Sequence, residues 1–183
     1  MNPIRIVVVD DHTILRDGIV SLLETQADFE VVGVAGSVAG ALEIVRHVSP
    51  DLVLLDYGLP DGTGLEATSE ILALNPQIDV VLLTVHEEDD LLFAAVRSGA
   101  KGYLLKNISA KDLLAKLRGL SQGDIALLPA QTKRILSEFA KTEPAHPSNQ
   151  EAATSLTERE MEVLQLLVAG ASNQEIGTKL HIS

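Results

Sequence analysis

Asp10 and Asp11, Asp56, Thr84 and Lys106 each stand directly after a short aliphatic run: Ile4–Val9, Leu52–Leu55, Val80–Leu83 and Gly102–Leu105. Taken singly, each has an ordinary reading. An Asp pair after a strand caps a turn or a helix, Asp56 ahead of Gly58, Pro60 and Gly62 starts a turn, and a Thr or Lys at a strand end is surface. Together they make a chemical set. Clustered carboxylates raise one another's pKa unless a positive charge sits among them. Oxygen donors without cysteine or paired histidine suit a hard cation, and Mg2+ is the natural choice. Such a cation and Lys106 would neutralise phosphoryl oxygens while one carboxylate attacks phosphorus.

That set needs a scaffold bringing the run ends to one edge. Five short aliphatic runs, the four above and Val31–Ala35, alternate with segments whose apolar residues recur every three or four positions: Thr13–Glu24, Val38–Val48, Gly64–Leu74, Asp89–Ser98 and Ala110–Leu120. The runs suit strands buried on both faces, and Leu113, Leu114, Leu117 and Leu120 line one helical face. Ser37, Ser109 and Asp89 are placed to cap helix starts, Gly99 to end a helix, and Pro50 and Pro76 fall between helix and strand. Five β-α repeats predict a parallel sheet with helices on both faces and right-handed crossovers. Ligand chemistry in such a sheet lies outside the carboxyl ends of the strands, where the polar set falls.

Composition excludes several alternatives. With 183 residues there is room for one full domain and a small remainder. Only 3% of residues are aromatic, so the core is aliphatic, and the lack of cysteine excludes disulfides, thiolate metal sites and cysteine nucleophiles. No apolar run reaches the roughly 18 residues of a membrane span, and Asp10-Asp11 interrupts any signal-peptide pattern, so the chain reads as cytoplasmic. The net charge of −12 divides into −10 over residues 1–128, zero over 129–154 and −2 over 155–183. The first part therefore has no electrostatic footprint for a phosphate backbone.

A helix is expected over Pro129–Lys141, with Ile135, Leu136 and Phe139 on its apolar side, followed by a Pro-containing linker to Thr154. Thr157 with Glu160, and Ser172 with Glu175, have capping-box spacing and announce helices near Glu158–Ala169 and Asn173–Leu180.

Residues 4–121 resemble the receiver domain of two-component response regulators. The likeness rests on Ile4–Val9 with Asp10-Asp11-His12, Leu52–Asp56 with Leu59-Pro60 and Thr63-Gly64, Leu83-Thr84, and Gly102–Lys106, and it spans residues 4–121. It implies a five-stranded, doubly wound, flavodoxin-like α/β domain. It also implies roles: Asp56 as phospho-acceptor; Asp10, Asp11, Asp56 and the Gly58 carbonyl as Mg2+ ligands; Lys106 as the phosphoryl-contacting ammonium; Thr84 and Tyr103 as a switch pair. Two departures stand out. Val85 follows the switch Thr where a small residue is common, which narrows access to an acyl phosphate. Asn107 follows Lys106 where many receivers carry Pro, so a cis peptide is not expected there.

Leu156–Glu160, Leu164, Leu167, Gly170, Ser172–Ile176 and Ile182-Ser183 resemble the start of a LuxR-type helix-turn-helix, as in LuxR/FixJ-type regulators. In that family Ser183 would cap the recognition helix, so no DNA-binding residue is expected within these 183 residues, and DNA binding is expected of a longer form. The resulting division is a receiver over 1–124, a helical linker and hinge over 125–154, and the N-terminal part of a DNA-binding domain over 155–183. The implied partners are a sensor histidine kinase and, through the longer form, DNA. A phosphorylation-dependent homodimer is compatible with the resemblance, and no membrane partner is expected. The chain would assist its own Mg2+-dependent phosphoryl transfer and dephosphorylation without being an enzyme in the ordinary sense.

Two rival classes remain open. A Mg2+-dependent phosphohydrolase also uses a strand-end aspartate, but typically carries a second Asp two residues on, where this chain has Gly58. A module acting through protein contacts alone is the other. Gly58–Gly64 lacks the Gly-Lys-Ser/Thr of a nucleotide loop, the five histidines are scattered with His86 near the site rim, and Glu87–Asp90 reads as a solvated helix start.

Overall fold

The β-branched run Ile4–Val9 forms β1, the centre of the first half of the sheet, and its last four residues are buried. The computed structural model describes residues 2–141. In chain order the elements are β1, α1 (Thr13–Glu24), β2 (Phe29–Ala35), α2 (Val38–Val48), β3 (Leu52–Asp56), the short hairpin arms β4 (Gly58–Leu59) and β5 (Gly62–Thr63), α3 (Gly64–Leu74), β6 (Asp79–Thr84), α4 (Asp89–Arg97), β7 (Gly102–Leu105), α5 (Ala110–Leu120) and α6 (Pro129–Lys141). The main sheet is all parallel in the order β2-β1-β3-β6-β7, as alternating strands and helices require.

The two sheet faces are filled by alternate strand residues. Ile6 and Val8, Leu52 and Leu54, Val81 and Leu83, and Leu104 cluster with Ile19 and Leu23 of α1 and with Leu113, Leu114, Leu117 and Leu120 of α5. The intervening residues Val7, Val9, Val53, Leu55, Val80 and Leu82 are equally buried. On that second face, Val7 neighbours Ile44 of α2 around Gly33, and Leu82 meets the start of α3 at Gly64.

The outer edge of β7 is covered. Ala126 forms a parallel bridge with Gly102, its N–H donating to Lys101 O at 2.8 Å and its carbonyl accepting from Tyr103 N–H at 3.0 Å. Gly102 is required there, because a Cβ would lie 2.6 Å from Ala126 Cβ. A boundary between two units of the chain falls between Leu127 and Leu128. α6 begins with Pro129, and the Gln131 side chain accepts from Leu128 N–H at 2.8 Å, the backward half of a capping box. Ile135 and Leu136 are half-buried. The linker, both expected capping boxes and the LuxR-like motif lie outside the described residues.

Several local expectations need adjusting. Ser37 and Ser109 cap their helices by accepting from Gly40 and Asp112 N–H. Asp89 does not cap α4. Glu88 holds the cap place with no side-chain bond, and Asp89 is the first helical residue, where its charge favours the helix dipole. β2 begins at Phe29 because Phe29 itself is buried. Pro60 and Asp61 turn the two-residue hairpin β4–β5, which has too few residues to show a period. All described peptide bonds are trans.

Gly64 and Gly18 give a paired test of this packing. A Cβ on Gly64 would lie 2.6 Å from Asp56 O and 2.9 Å from Tyr57 Cα, backbone atoms that cannot swing aside. A Cβ on Gly18, inside α1, would meet nothing within 4 Å. In urea denaturation Gly64→Ala is expected to destabilise by about 1–3 kcal/mol, whereas Gly18→Ala is expected to stabilise by about 0.5–1 kcal/mol.

Candidate functional site

Four neighbouring strands deliver their last residues to one edge. Asp10 continues β1 by donating its N–H to Ala35 O, and its Oδ1 accepts from His12 N–H at 2.8 Å, turning the chain into α1. Asp56 is the last residue of β3 and pairs in register with Leu83, so Thr84, which ends β6, stands one residue farther along the neighbouring strand. Lys106 follows β7, its N–H donating to Thr84 O at 2.7 Å. Asp10 and Asp56 are buried at 0% and 3% exposure, whereas Asp11 and Gly58 are exposed.

The Lys106 ammonium lies 2.7 Å from Asp56 Oδ2 and 2.9 Å from Asp10 Oδ2. Burial, opposed by Lys106 and reinforced by the charge of Asp10, pushes the Asp56 carboxyl above its usual range. Burial also opposes charge on Lys106, but the hydrogen bonds and charges of Asp56 and Asp10 outweigh it and raise its pKa. Its paired charge therefore stabilises the fold fully below the ordinary lysine pKa of about 10.4 and is lost as pH climbs through the raised value.

Two groups that the sequence did not single out complete the site. His12 holds the N-cap place of α1 without capping it. Its ring turns to the acids instead, with Nδ1 2.7 Å from Asp11 Oδ1, 3.2 Å from Asp10 Oδ1 and 3.9 Å from Asp56 Oδ2. Adjacency to Asp10-Asp11 was the only available signal, and it does not fix a ring rotamer. Asp61, at the tip of the β4–β5 hairpin, accepts from Val38 N–H at 2.7 Å and Ala39 N–H at 3.0 Å, tying the chain after Asp56 to the start of α2. Those bonds hold its carboxyl below the usual range. The partners lie 23 and 22 residues away in sequence, so no local pattern shows the link.

Thr84 and Tyr103 grip the same residue. His86 donates its N–H to Thr84 Oγ1 at 3.1 Å, and its carbonyl accepts from the Tyr103 hydroxyl at 2.8 Å. Both side-chain bearers are 1% exposed, and burial pushes the Tyr103 phenol up, keeping it a donor. The loop after β6 is thereby clamped through its backbone, while Val85 beside it is 72% exposed.

An open groove of about 530 Å³ runs between α1 and the start of α5. Ile14, Leu15, Gly18, Leu22, Ile108 and Leu113 line it, and it reaches His12 and Lys106. Ile14 is 92% exposed there. Among the described residues, no helix is long and apolar enough to cross a membrane.

Comparison with known proteins agrees in both parts of the chain. Residues 6–118 match the model of the response regulator receiver domain, and residues 154–183 match that of the bacterial regulatory proteins of the luxR family. The response regulator protein VraR of Staphylococcus aureus is 39% identical over 180 residues, covering 98% of this chain and 83% of its own. The oxygen regulatory protein NreC of Staphylococcus carnosus is 35% identical over 182 residues, with 98% and 83% covered. Among solved structures, a LuxR-family two-component response regulator from Aurantimonas sp. SI85-9A1 superposes with a TM-score of 0.70 at 29% identity, covering 76% of this chain and 99% of that one.

Removing the ammonium isolates its contribution. Lys106→Met leaves two buried carboxylates facing each other and is expected to destabilise by about 3 kcal/mol at pH 7. Burial already holds the Asp56 carboxyl above its usual range, and protonating it removes the repulsion that the ammonium offset, so the deficit should shrink as pH is lowered. Urea titrations of both proteins at stepped pH measure it.

Proposed function

This chain belongs to the two-component response regulators that control transcription, and from that premise we propose that Asp56 is its phospho-acceptor. A carboxylate oxygen of Asp56 attacks the phosphorus of a phosphohistidine on a sensor histidine kinase. The new O–P bond replaces the P–N bond, and the departing imidazole nitrogen takes up a proton. Lys106 faces the oxygens on which charge accumulates, and burial keeps water from diluting that interaction. The observation that carries the reading is the single ammonium within 2.9 Å of both buried carboxylates at parallel strand ends.

The acid set fits Mg2+. Asp10, Asp11 and Asp56 bring three carboxylates against one lysine, an excess of negative charge that a hard divalent cation would relieve. Asp10, Asp11, Asp56 and the Gly58 carbonyl would hold it. When bound, Mg2+ neutralises phosphoryl charge and orients the donor. Gly58 bears no side chain two residues after the acceptor, which disfavours the phosphohydrolase alternative because no acid/base stands there.

The groove beside Lys106 suits a kinase element that presents its phosphohistidine over apolar contacts. Thr84 passes phosphorylation on by leaving His86 N–H for the phosphoryl group, which loosens the loop that Tyr103 also holds. A ligand shifts such an equilibrium only through differential affinity, and Thr84 supplies it. The same pocket assists hydrolysis of the acyl phosphate, with Val85 limiting access. We read residues 1–124 as the receiver, 125–154 as the linker, and 155–183 as the part that matches the luxR-family regulatory proteins. Phosphorylation favours a homodimer, and the chain works in the cytoplasm without a membrane partner.

Incubation of the 183-residue chain with acetyl phosphate and Mg2+ should add one phosphoryl group by mass spectrometry. Asp56→Asn should add none, and excess chelator should suppress the reaction. Labelling that persists in Asp56→Asn overturns the assignment. Thr84→Ala should still be phosphorylated but lose most of the change in amide exchange around His86 and Tyr103. An exchange difference as large as wild type removes Thr84 from the relay.

A further inference from the structure

His12 is unusual for a residue at a helix N-cap, because its side chain makes no capping bond and its ring faces the acid cluster. We propose that His12 Nδ1 is a nitrogen ligand of the divalent-cation site and sets which cation this pocket prefers. The inference rests on the reading of the acid cluster as a cation site and adds a residue outside the acidic set.

The geometry supports a shared ion. Ligand atoms of Asp10, Asp11, His12 and Asp56 all lie within 4.8 Å of one another. An octahedral ion with bonds of about 2.1 Å needs adjacent donors about 3.0 Å apart and opposite donors about 4.2 Å apart. Nδ1 lies 2.7 and 3.2 Å from Asp11 Oδ1 and Asp10 Oδ1, close to the adjacent spacing, and 3.9 Å from Asp56 Oδ2, between the adjacent and opposite spacings. The ring side chain is 69% exposed, so it reaches the site without a burial cost. Asp10 Oδ2 and Asp56 Oδ2 face the Lys106 ammonium, and Asp56 Oδ2 also lies 3.9 Å from His12 Nδ1, so three carboxylates share one lysine and His12 stands on the side away from it.

The chemistry then decides selectivity. Mg2+ takes oxygen donors and keeps its waters, and gains little from an imidazole. Mn2+, Co2+ and Ni2+ bind imidazole increasingly well. A pocket of carboxylates alone would separate these ions weakly. With His12 as a ligand, the later metals should be favoured, and His12→Ala should cost them much more than it costs Mg2+.

The test uses the whole 183-residue chain. Calorimetric titrations with Mg2+, Mn2+ and Ni2+ on wild type, His12→Ala and His12→Gln give the affinity ratios, and pulsed electron paramagnetic resonance of the Mn2+-loaded protein detects directly bound nitrogen. We expect His12→Ala to weaken Ni2+ by at least about tenfold and Mg2+ by less than about threefold, with a nitrogen coupling in wild type that vanishes in both variants. Equal losses for every cation, or no nitrogen coupling in wild type, overturn the proposal while leaving the cation site intact. Ni2+ binding that survives Asp11→Ala unchanged belongs to another histidine and also overturns it. If wild type binds none of the three ions, the cation-site reading fails and takes this inference with it.

Discussion

The Lys106 ammonium sits 2.7 Å from Asp56 and 2.9 Å from Asp10, and each of those three groups arrives on a different strand. Two carboxylates at 0% and 3% exposure repel each other and pay desolvation, so without a cation between them the sheet edge would favour neutral acids or a looser arrangement. The strand order brings β1 and β3 side by side, with β6 and then β7 beyond. Lys106 therefore reaches across the end of β6 to both acids, and the intervening strand contributes Thr84 at that crossing.

Much of the remaining structure fixes the ends of these strands. Lys106 N–H on Thr84 O and Tyr57 N–H on Leu83 O extend the ladders one step past the sheet. Gly64 lets α3 start against the Asp56 carbonyl, and Asp61 fastens the hairpin between them to α2. On the outer side, Ala126 covers the edge of β7 through Tyr103, the residue that also holds His86. Placement of the acids, the loop after β6 and the strand cover are thus linked by backbone ladder bonds and by side-chain bonds to the backbone.

The scaffold was legible because it rests on periods. Strands buried on both faces appear as unbroken aliphatic runs, and α1, α2, α3 and α5 begin and end where their apolar spacing does. Asp10, Asp56, Thr84 and Lys106 were visible because each interrupts such a run. The position of the His12 ring was not, since its rotamer depends on the electrostatics of groups from two strands. The Asp61 link was hidden for a similar reason, as its partners lie in another repeat. The clamp on His86 joins three residues, of which Thr84 and Tyr103 were singled out and His86 was placed only near the rim. Asp89 misled because an acid suits both the cap and the first helical turn.

We propose that Lys106 and Asp56 form one phosphoryl-binding unit. It is tested most directly by recording the side-chain ammonium resonance of Lys106 by 15N nuclear magnetic resonance as beryllofluoride, a phosphoryl mimic, is added with Mg2+. The expected result is one saturable adduct per chain, seen by 19F, with a shift of the Lys106 resonance that follows its formation and is absent in Asp56→Asn. An adduct that forms while the Lys106 resonance stays still, or that forms as well in Asp56→Asn, would contradict it.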